Sequence, residues 1–288
     1  VWEDASNKSA YGERREYFLG KELDSVMNYP MRRALIDAVS GRIDVEEFDA
    51  RLMSIKENYP APAYYSLLNI ITSHDVERIM TRMGDAPSRH EISKDFQASF
   101  KLDGYALELA KEKATLVVGL QMMLPGVPCI YYGDEIGMKY QENLVSKEGG
   151  FSRTGSRTPM QWNSGKNLGF STSDTPYLPV DTDENAPTVE NQQNNPDSIY
   201  KVVTDIIALR HANEDLHGNG DFEMIFEAGK FPFGYKRGKF VMLFNPLGKE
   251  SDIEINAKGA KKVYEIGTTE VADNKVKMSA QSFVMLEI

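Results

Sequence analysis

The sequence has 288 residues, 41% of them hydrophobic and 26% charged, a composition that predicts a globular protein with two domains and argues against disorder. Its 43 acidic and 33 basic residues give a net charge of −10. This charge argues against nucleic acid or an anionic membrane as a partner and leaves a neutral ligand as the compatible class.

The first predicted elements are a strand and a helix. The chain begins as if inside a strand, and the polar stretch over residues 7–24 predicts a loop or short surface helix before a strand at residues 25–29. Pro30 is predicted to end that strand. A helix follows, and Ser40-Gly41 should end it because glycine readily adopts the left-handed conformation at helix C-termini. Its apolar positions are Met31, Leu35, Ala38 and Val39.

A second helix is predicted directly afterwards. Asp44 and Glu47 have the spacing of a capping box, in which a side chain accepts a hydrogen bond from a free backbone N–H group. Apolar residues at helical spacing predict its buried face. They are Val45, Phe48, Leu52 and Ile55. Pro60-Ala61-Pro62 then predicts a rigid lead into the next strand.

Residues 65–75 form an apolar run that ends in an imidazole and a carboxylate, those of His74 and Asp75. A short run without polar alternation predicts a strand covered on both faces, as in parallel α/β sheets. Apolar residues at helical spacing over residues 76–83 predict a helix next, so His74 and Asp75 should stand at the carboxyl end of a strand. In a (β/α)₈ barrel such residues build the active site. The alternative is that Asp75 simply caps that helix.

The middle of the chain alternates between apolar and irregular stretches. Residues 84–103 are polar and their path stays open, whereas residues 109–123 carry a helical stripe. Residues 115–132 are apolar enough to suggest a membrane span, but the prolines at 125 and 128 would break it, so helix, turn and strand are predicted. Cys129, the single cysteine, should be buried in that strand and leaves no internal disulfide.

Residues 138–195 show little periodicity and are rich in Gly, Ser, Asn, Asp and Pro. Loops of this length are usually functional or disordered, and this one should leave the same sheet edge as His74 and Asp75. Pro196 is predicted to be the first residue of the last helix, which runs to Arg210-His211.

Short β-rich runs separated by turn residues follow Gly218. Their spacing of roughly ten residues predicts an antiparallel β-sandwich. The predicted strands are residues 222–226, 233–236, 240–244, 253–255, 263–266, 276–278 and 282–288. The predicted domains are therefore residues 1–217, of α/β type, and residues 218–288, which are all-β.

Several stretches resemble strand motifs of the α-amylase family, glycoside hydrolase family 13, in the family's order. Residues 69–78, with their His-Asp pair, resemble the seventh-strand motif, and residues 125–135 resemble the eighth strand. Residues 1–6 are similar to the exit of the fifth strand and residues 25–30 to the sixth. Residues 156–162 resemble the loop that follows the eighth strand in many members.

The resemblance implies an α/β fold, the C-terminal half of a (β/α)₈ TIM barrel (strands five to eight) followed by an antiparallel β-sandwich domain. It also implies a retaining glycoside hydrolase that acts on α-glucans. Such enzymes use a nucleophilic carboxylate and a general acid–base, and the family adds a third carboxylate. By motif match the third is Asp75, a catalytic residue that stabilises the transition state, with His74 binding substrate beside it.

Other residues are candidates by the same resemblance. Arg157 is expected to bind substrate, and Arg78 and Arg153 are weaker candidates for orienting the carboxylates or bound glucose. For all three the alternative is a surface or helix-end charge. Trp162 and Tyr177 either stack on sugar faces or pin the long loop to the barrel.

The resemblance also places two catalytic groups outside this sequence. The family's general acid would fall just ahead of Val1 and its nucleophile on the fourth strand, so the chain alone is expected to be inactive. Glu3 is a less favoured substitute for the acid. No cofactor and no metal site is expected, since the family's calcium site lies outside the matched motifs. Residues 181–185 begin like a calcium loop, but Ala186 and Gln192 replace the required Gly and Glu.

The expected partner is an α-glucan oligosaccharide or polysaccharide, without nucleic acid or membrane. The open edges of half a barrel also predict association with a second copy. The parent protein most resembles neopullulanase, cyclomaltodextrinase and maltogenic amylase, while residues 157–162 and 195–200 are similar to the oligo-1,6-glucosidase branch, so the bond preference stays open. Two alternatives remain, a non-catalytic carbohydrate-binding scaffold and a glucosyl transferase or isomerase of the same family. The sequence does not indicate a localisation.

Overall fold

The structure is a computed structural model that describes residues 22–84, 94–220 and 222–288. The chain divides into two compact units. Residues 1–70, 119–129 and 206–288 belong to the first, and residues 71–118 and 130–205 to the second. Across the described ranges, no helix is both long enough and apolar enough to cross a membrane.

The helices of the N-terminal part of the first unit are α1 (Tyr29–Val39), α2 (Val45–Asn58) and α3 (Ala61–Tyr65). In α2 the Asp44 Oδ1 accepts the Glu47 N–H at 2.9 Å, and the buried face is the predicted one. The Asp44 cap and the buried face are thus as predicted, while Glu47 Oε1 accepts a hydrogen bond from Arg51 Nε at 2.7 Å. Pro30 lies in the first turn of α1 and not at a strand end, because a helix start tolerates a residue without an N–H group.

Parallel strand pairing in the first unit is confirmed, but the strands are short. β1 (Leu68–Asn69) pairs in parallel with β2 (Val127–Pro128), and Leu68 also bridges to Met27. The predicted strand over residues 65–75 is therefore too long. At its start α3 intervenes, since Pro60 and Pro62 favour a helix N-terminus over a rigid extended lead.

Buried amide side chains hold β1 against β2. Asn69 Nδ2 donates to the Pro125 carbonyl at 2.7 Å, and Asn28 Nδ2 donates to Asn69 Oδ1 at 3.1 Å. Gln121 Nε2 donates to the carbonyls of Asn69 at 2.7 Å and Cys129 at 2.8 Å. Because these polar groups are buried and bonded, they specify one register for the strand that leads to His74 and Asp75.

Cys129 is only half-buried, contrary to the prediction of full burial. It follows β2, where Val127 is 45% exposed. Burial still raises the pKa of the Cys129 thiol. Among the described residues β2 pairs with β1 alone, so one side of this strand is not covered by a neighbour.

The C-terminal part of the first unit consists of antiparallel strands, and all seven predicted segments are confirmed. They are β3 (Glu223–Phe226), β4 (Phe233–Arg237), β5 (Phe240–Asn245), β6 (Ser251–Glu254), β7 (Lys261–Ile266), β8 (Thr269–Ala272), β9 (Lys275–Met278) and β10 (Ser282–Glu287). One sheet has the order β3-β4-β5-β10-β7 and the other β6-β9-β8. The additional strand, β8, is mostly exposed and lacks a clear apolar alternation.

The two antiparallel sheets share one cluster of buried apolar side chains. β5 and β10 supply Val241, Leu243, Val284 and Leu286, and the smaller sheet supplies Ile253, Val276 and Met278. Each of these seven side chains is at most 2% exposed. Alternation along the strands thus directs every second residue into a common core.

The remaining helices are α4 (Ile79–Met83), α5 (Lys94–Ser99), α6 (Gly104–Met123), α7 (Val189–Gln193) and α8 (Ile199–Ala212). In α6 the predicted apolar positions Leu116, Leu120 and Met123 are buried. The predicted start of the last helix is wrong, because α8 begins after Ser198, whose Oγ accepts the Lys201 N–H at 3.1 Å. A serine side chain caps a helix directly, whereas Pro196 lies in the preceding turn.

Candidate active site

Asp75 lies in the irregular segment between β1 and α4. α4 has Arg78 as its N-cap residue and no side-chain cap hydrogen bond. The interpretation of Asp75 as a helix cap is therefore wrong. The Asp75 N–H donates to Ser73 Oγ at 3.1 Å, a local bond that shapes the turn carrying the carboxylate.

Two arginines of the long loop bind the same oxygen of Asp75. Arg153 Nη1 lies 2.6 Å from Oδ1 and Arg157 Nη2 lies 3.4 Å from it. His74 Nε2 lies 3.5 Å from Oδ2. The structure thus brings Asp75, His74 and Arg157 together and adds Arg153, which forms the shortest of these contacts. Charge-assisted bonds of this kind fix both the position and the orientation of a carboxylate.

Arg153 was the weaker candidate from the sequence. It lies in a 3₁₀ helix, Phe151–Ser156, and Arg157 caps the end of that helix. The sequence offered one indication of this role. The two arginines lie close together in a loop that was expected to leave the same sheet edge as Asp75. The sequence does not specify the folded path of the loop. That path brings both arginine side chains to Asp75.

The carboxylate remains accessible while it is held. The side chains of Asp75 and His74 are 36% and 61% exposed. A carboxylate has about four positions that can accept hydrogen bonds. Because Asp75 is partly exposed, it can accept hydrogen bonds from ligand hydroxyls while the arginines orient it. Arg157 also donates through Nε to the His74 carbonyl at 2.9 Å, which ties the loop to the backbone beside the carboxylate.

Further hydrogen bonds anchor the arginine-bearing segment. Ser156 Oγ donates to the Val76 carbonyl at 2.9 Å, and the Tyr131 hydroxyl donates to the Ser156 carbonyl at 3.0 Å. A Cβ atom at position 155 would lie 2.6 Å from Cε2 of Tyr140, so glycine is required where this segment packs. The arginine-bearing segment therefore packs against the residues that follow β1.

Arg78 is fully buried, which contradicts both a surface position and direct contact with substrate. Its guanidinium carbon lies 4.7 Å from the ring centroids of Tyr131 and Tyr132. Nη1 donates to the Tyr132 carbonyl and lies 3.8 Å from Asp134 Oδ1. Gly133 has φ +88°, and a Cβ there would lie 2.9 Å from Nη1. Arg78 is thus a packed structural cation.

A cavity of about 340 Å³ opens beside Arg157. Its walls are mainly apolar and aromatic. They consist of Tyr132, Pro159, Met160, Trp162, Phe170, Tyr177 and Leu178, with Glu135 and Arg157 as the charged members. Burial raises the pKa of Glu135, although the Gly133 N–H, which donates to Oε2 at 2.6 Å, and the charge of Arg78 oppose that rise. Glu135 was not singled out from the sequence.

The other sequence candidates do not join this site in the part of the chain that the structure describes. Residues 1–6, including Glu3, lie outside the described residues. Asp183 Oδ2 binds Lys139 Nζ at 2.8 Å, a bond that lowers the pKa of Asp183. Asp181 is only 7% exposed, whereas residues 182–185 are exposed. Over the described ranges, no group of three or more His, Cys, Asp or Glu side chains is arranged to hold a metal.

Comparison with solved structures defines the fold first. The α-amylase from H. orenii superposes with a TM-score of 0.67 at 19% identity, covering 100% of this chain and 52% of that chain. This chain therefore has the α/β fold of that enzyme over the matched part. The sequence then defines the family, since the α-amylase catalytic-domain family matches residues 5–219. The chain belongs to the α-amylase family, as its strand motifs predicted.

Two relatives show how much of a longer protein is matched. The amylopullulanase of Thermoanaerobacterium thermosulfurigenes is 38% identical over 139 residues, which cover 44% of this chain and 7% of that protein. The probable oligo-1,6-glucosidase 2 of Bacillus subtilis (strain 168) is 33% identical over 193 residues, 57% of this chain and 30% of that protein. The chain thus spans about half of the solved α-amylase and a smaller share of both relatives.

Proposed function

We propose that this chain contributes to the active site of a retaining glycoside hydrolase that cleaves α-glucans. Asp75 accepts hydrogen bonds from sugar hydroxyls and stabilises the oxocarbenium-like transition state, and His74 and Arg157 bind the same sugar. The observation that carries the proposal is an Asp75 carboxylate held by Arg153 and Arg157 yet 36% exposed. Family membership supports the reaction class.

The geometry suits differential stabilisation of a transition state. A carboxylate already oriented by two guanidinium groups need not reorganise when positive charge develops on the sugar ring. Its attraction for that charge is stronger in the transition state than for neutral bound substrate, so it raises kcat more than it lowers KM. His74, exposed beside it, can donate an imidazole N–H to a sugar hydroxyl.

The proposal also covers the domain architecture of the chain. Residues 1–217 form the C-terminal half of a (β/α)₈ barrel and residues 218–288 form a β-sandwich domain. Parallel pairing of β1 with β2, and two antiparallel sheets around one apolar core, support this division. The proposed partner is an α-glucan. Because an α-glucan is uncharged, the net charge of −10 neither attracts nor repels it.

Residues 1–288 alone should not cleave α-glucan and should bind it weakly at most. Of the three carboxylates that the family uses, Asp75 is the one matched by a motif in this sequence. General acid–base catalysis contributes about 10²–10⁴-fold in rate, and a covalent route adds to it, so a single stabilising carboxylate is insufficient.

The first prediction tests Asp75 in the full-length product of the gene. Asp75→Asn should lower kcat on pullulan and soluble starch by about 10²-fold or more and change KM far less, because the interaction belongs to the transition state. Steady-state kinetics on both polysaccharides measure the effect.

Asp174→Asn is the matched control. The substitution makes the same change of charge at a position in the long loop over residues 138–195. Asp174 is 97% exposed, and within the described residues its one salt-bridge partner is Lys166 at 2.6 Å. Activity of this control should equal that of the unmodified protein. A near-normal kcat for Asp75→Asn in a folded protein would remove Asp75 from the reaction.

A further inference from the structure

We propose that a second cavity, apart from the candidate active site, binds an α-amino acid with a large apolar side chain. This cavity has a volume of about 490 Å³, within the range of about 300–1,000 Å³ found for small-molecule sites. All of its lining residues belong to the second unit. Within the described part of the chain, it shares no lining side chain with the cavity beside Arg157, so the inference is independent of the proposed function.

The inner wall of this second cavity is apolar. Met80 of α4, Ile136 and Ile199 of α8 line it and are each at most 4% exposed. Leu107 of α6 adds a half-buried side chain. Because these residues come from different elements that pack together, the folded chain forms the wall without a ligand. Contact with this wall removes apolar surface from water, which favours a ligand with a large apolar part.

Some of the charged groups around the second cavity already have partners. Lys139 Nζ lies 2.8 Å from Asp183 Oδ2, and Lys101 Nζ lies 3.3 Å from Asp103 Oδ2. Each of these pairs has no net charge. The charges that remain available to a ligand therefore come from other lining side chains.

The available charges are those of Glu108 and Lys111 on α6. Both residues line the cavity, and neither forms an ion pair with another described residue. They are three positions apart, so they share one face of the helix, with Cβ atoms about 5–6 Å apart. Glu108 is exposed and Lys111 is half-buried. One carboxylate and one ammonium group beside an apolar wall are complementary to the α-ammonium, α-carboxylate and apolar side chain of an amino acid.

The lining also argues against other occupants. It contains no aromatic side chain among the described residues, so a sugar ring would find no flat aromatic wall. A neutral sugar would also leave Glu108 and Lys111 without an oppositely charged partner. A purely anionic ligand would meet three carboxylates and only two ammonium groups. A zwitterion avoids both problems, because it has no net charge and offers one partner to each free side chain.

Titration calorimetry of the full-length protein with L-phenylalanine tests this inference. L-Phenylalanine should bind, and L-alanine should bind at least about tenfold more weakly because it buries much less apolar surface. Glu108→Gln and Lys111→Met should each weaken L-phenylalanine binding about five- to tenfold, since each substitution removes a hydrogen bond between charged groups.

Two analogues of phenylalanine assign each charge to its partner. N-Acetyl-L-phenylalanine has no ammonium group, so Glu108→Gln should not weaken its binding further. L-Phenylalaninamide has no carboxylate, so Lys111→Met should not weaken its binding further. Equal losses for L-phenylalanine and both analogues would contradict the proposed pairing and overturn the inference.

Glu112→Gln is the matched control. It makes the same chemical change on the same helix, at an exposed position that does not line the cavity. Its affinity for L-phenylalanine should equal that of the unmodified protein. Absence of L-phenylalanine binding would overturn the inference, and so would equal losses for Glu112→Gln and Glu108→Gln. Maltose binding that Glu108→Gln and Lys111→Met both weaken would assign the cavity to a sugar and would also overturn it.

Discussion

Two carboxylates near the candidate site are bound by arginine, and their accessibility separates their roles. Asp134 and Arg78 are 1% and 0% exposed and lie in a packed cluster with two tyrosine rings. Asp75 and Arg153 are both 36% exposed. A buried pair contributes to a specific packing arrangement, whereas an accessible, oriented carboxylate can act on a ligand.

The ionisation of Glu135 leads to a prediction about a single residue and its effect on stability. Burial raises its pKa in the folded protein above the value in the unfolded chain, so the folded state holds the proton more tightly. Its contribution to the free energy of unfolding is therefore largest below the unfolded pKa and falls as pH rises through the folded pKa. Glu135→Gln should gain stability relative to the unmodified protein as pH rises from about 4 to about 8.

Thermal unfolding of both proteins across this pH range is the measurement. The glutamine retains an oxygen that can accept the Gly133 N–H, so the change chiefly removes the ionisable group. A difference in Tm that does not vary with pH would contradict the expected titration of Glu135.

At the scale of elements, short polar side chains fix where helices begin. Asp44 caps α2 and Ser198 caps α8, each by accepting a backbone N–H that would otherwise lack an intrahelical partner. The α2 cap was recognisable because a carboxylate stands directly before a regular apolar stripe. The α8 cap was missed because Pro196, a residue favoured at helix starts, stands two residues earlier.

Removing the α2 cap should destabilise the protein measurably. Asp44→Ala is expected to lower the free energy of unfolding by about 0.5–2 kcal/mol, because the Glu47 N–H loses its acceptor. Asp44→Ser keeps an acceptor and should lose much less. Urea denaturation of the three proteins tests this, and equal losses for Ala and Ser would show that the cap bond is not the cause.

At the scale of the whole molecule, the unpaired side of β2 bears on association between copies of the chain. Among the described strands β2 pairs with β1 only, and Val127 within it is 45% exposed. An unpaired strand with an exposed apolar residue favours pairing with another chain. We therefore propose that residues 1–288 associate with a second copy through this edge.

Sedimentation velocity over a range of concentrations measures that association. Val127→Lys should shift the equilibrium towards monomer, since a charge on an edge strand opposes strand pairing. Val145→Lys, at a loop position that is 79% exposed, serves as the control and should behave like the unmodified chain. Association that Val127→Lys leaves intact would place the interface elsewhere.

Local sequence patterns determined much of the fold and named the centre of the site. Periodicity identified α1, α2, α6 and the C-terminal strands, because helix and strand spacing follow from which side chains can share a buried face. The His-Asp pair after an apolar run identified His74 and Asp75, and with the neighbouring motifs it identified the family. These features depend on residues close together in the chain.

Only the tertiary structure decided how distant segments meet. Arg153 reaches Asp75, Arg78 is buried against the rings of Tyr131 and Tyr132, and Glu135 lines a cavity with Trp162. No local pattern specifies such contacts, because an arginine has the same sequence signature whether it is solvated, buried or bound to a carboxylate. The burial and partners that decide its role arise only when the long loop packs against the residues that follow β1 and β2.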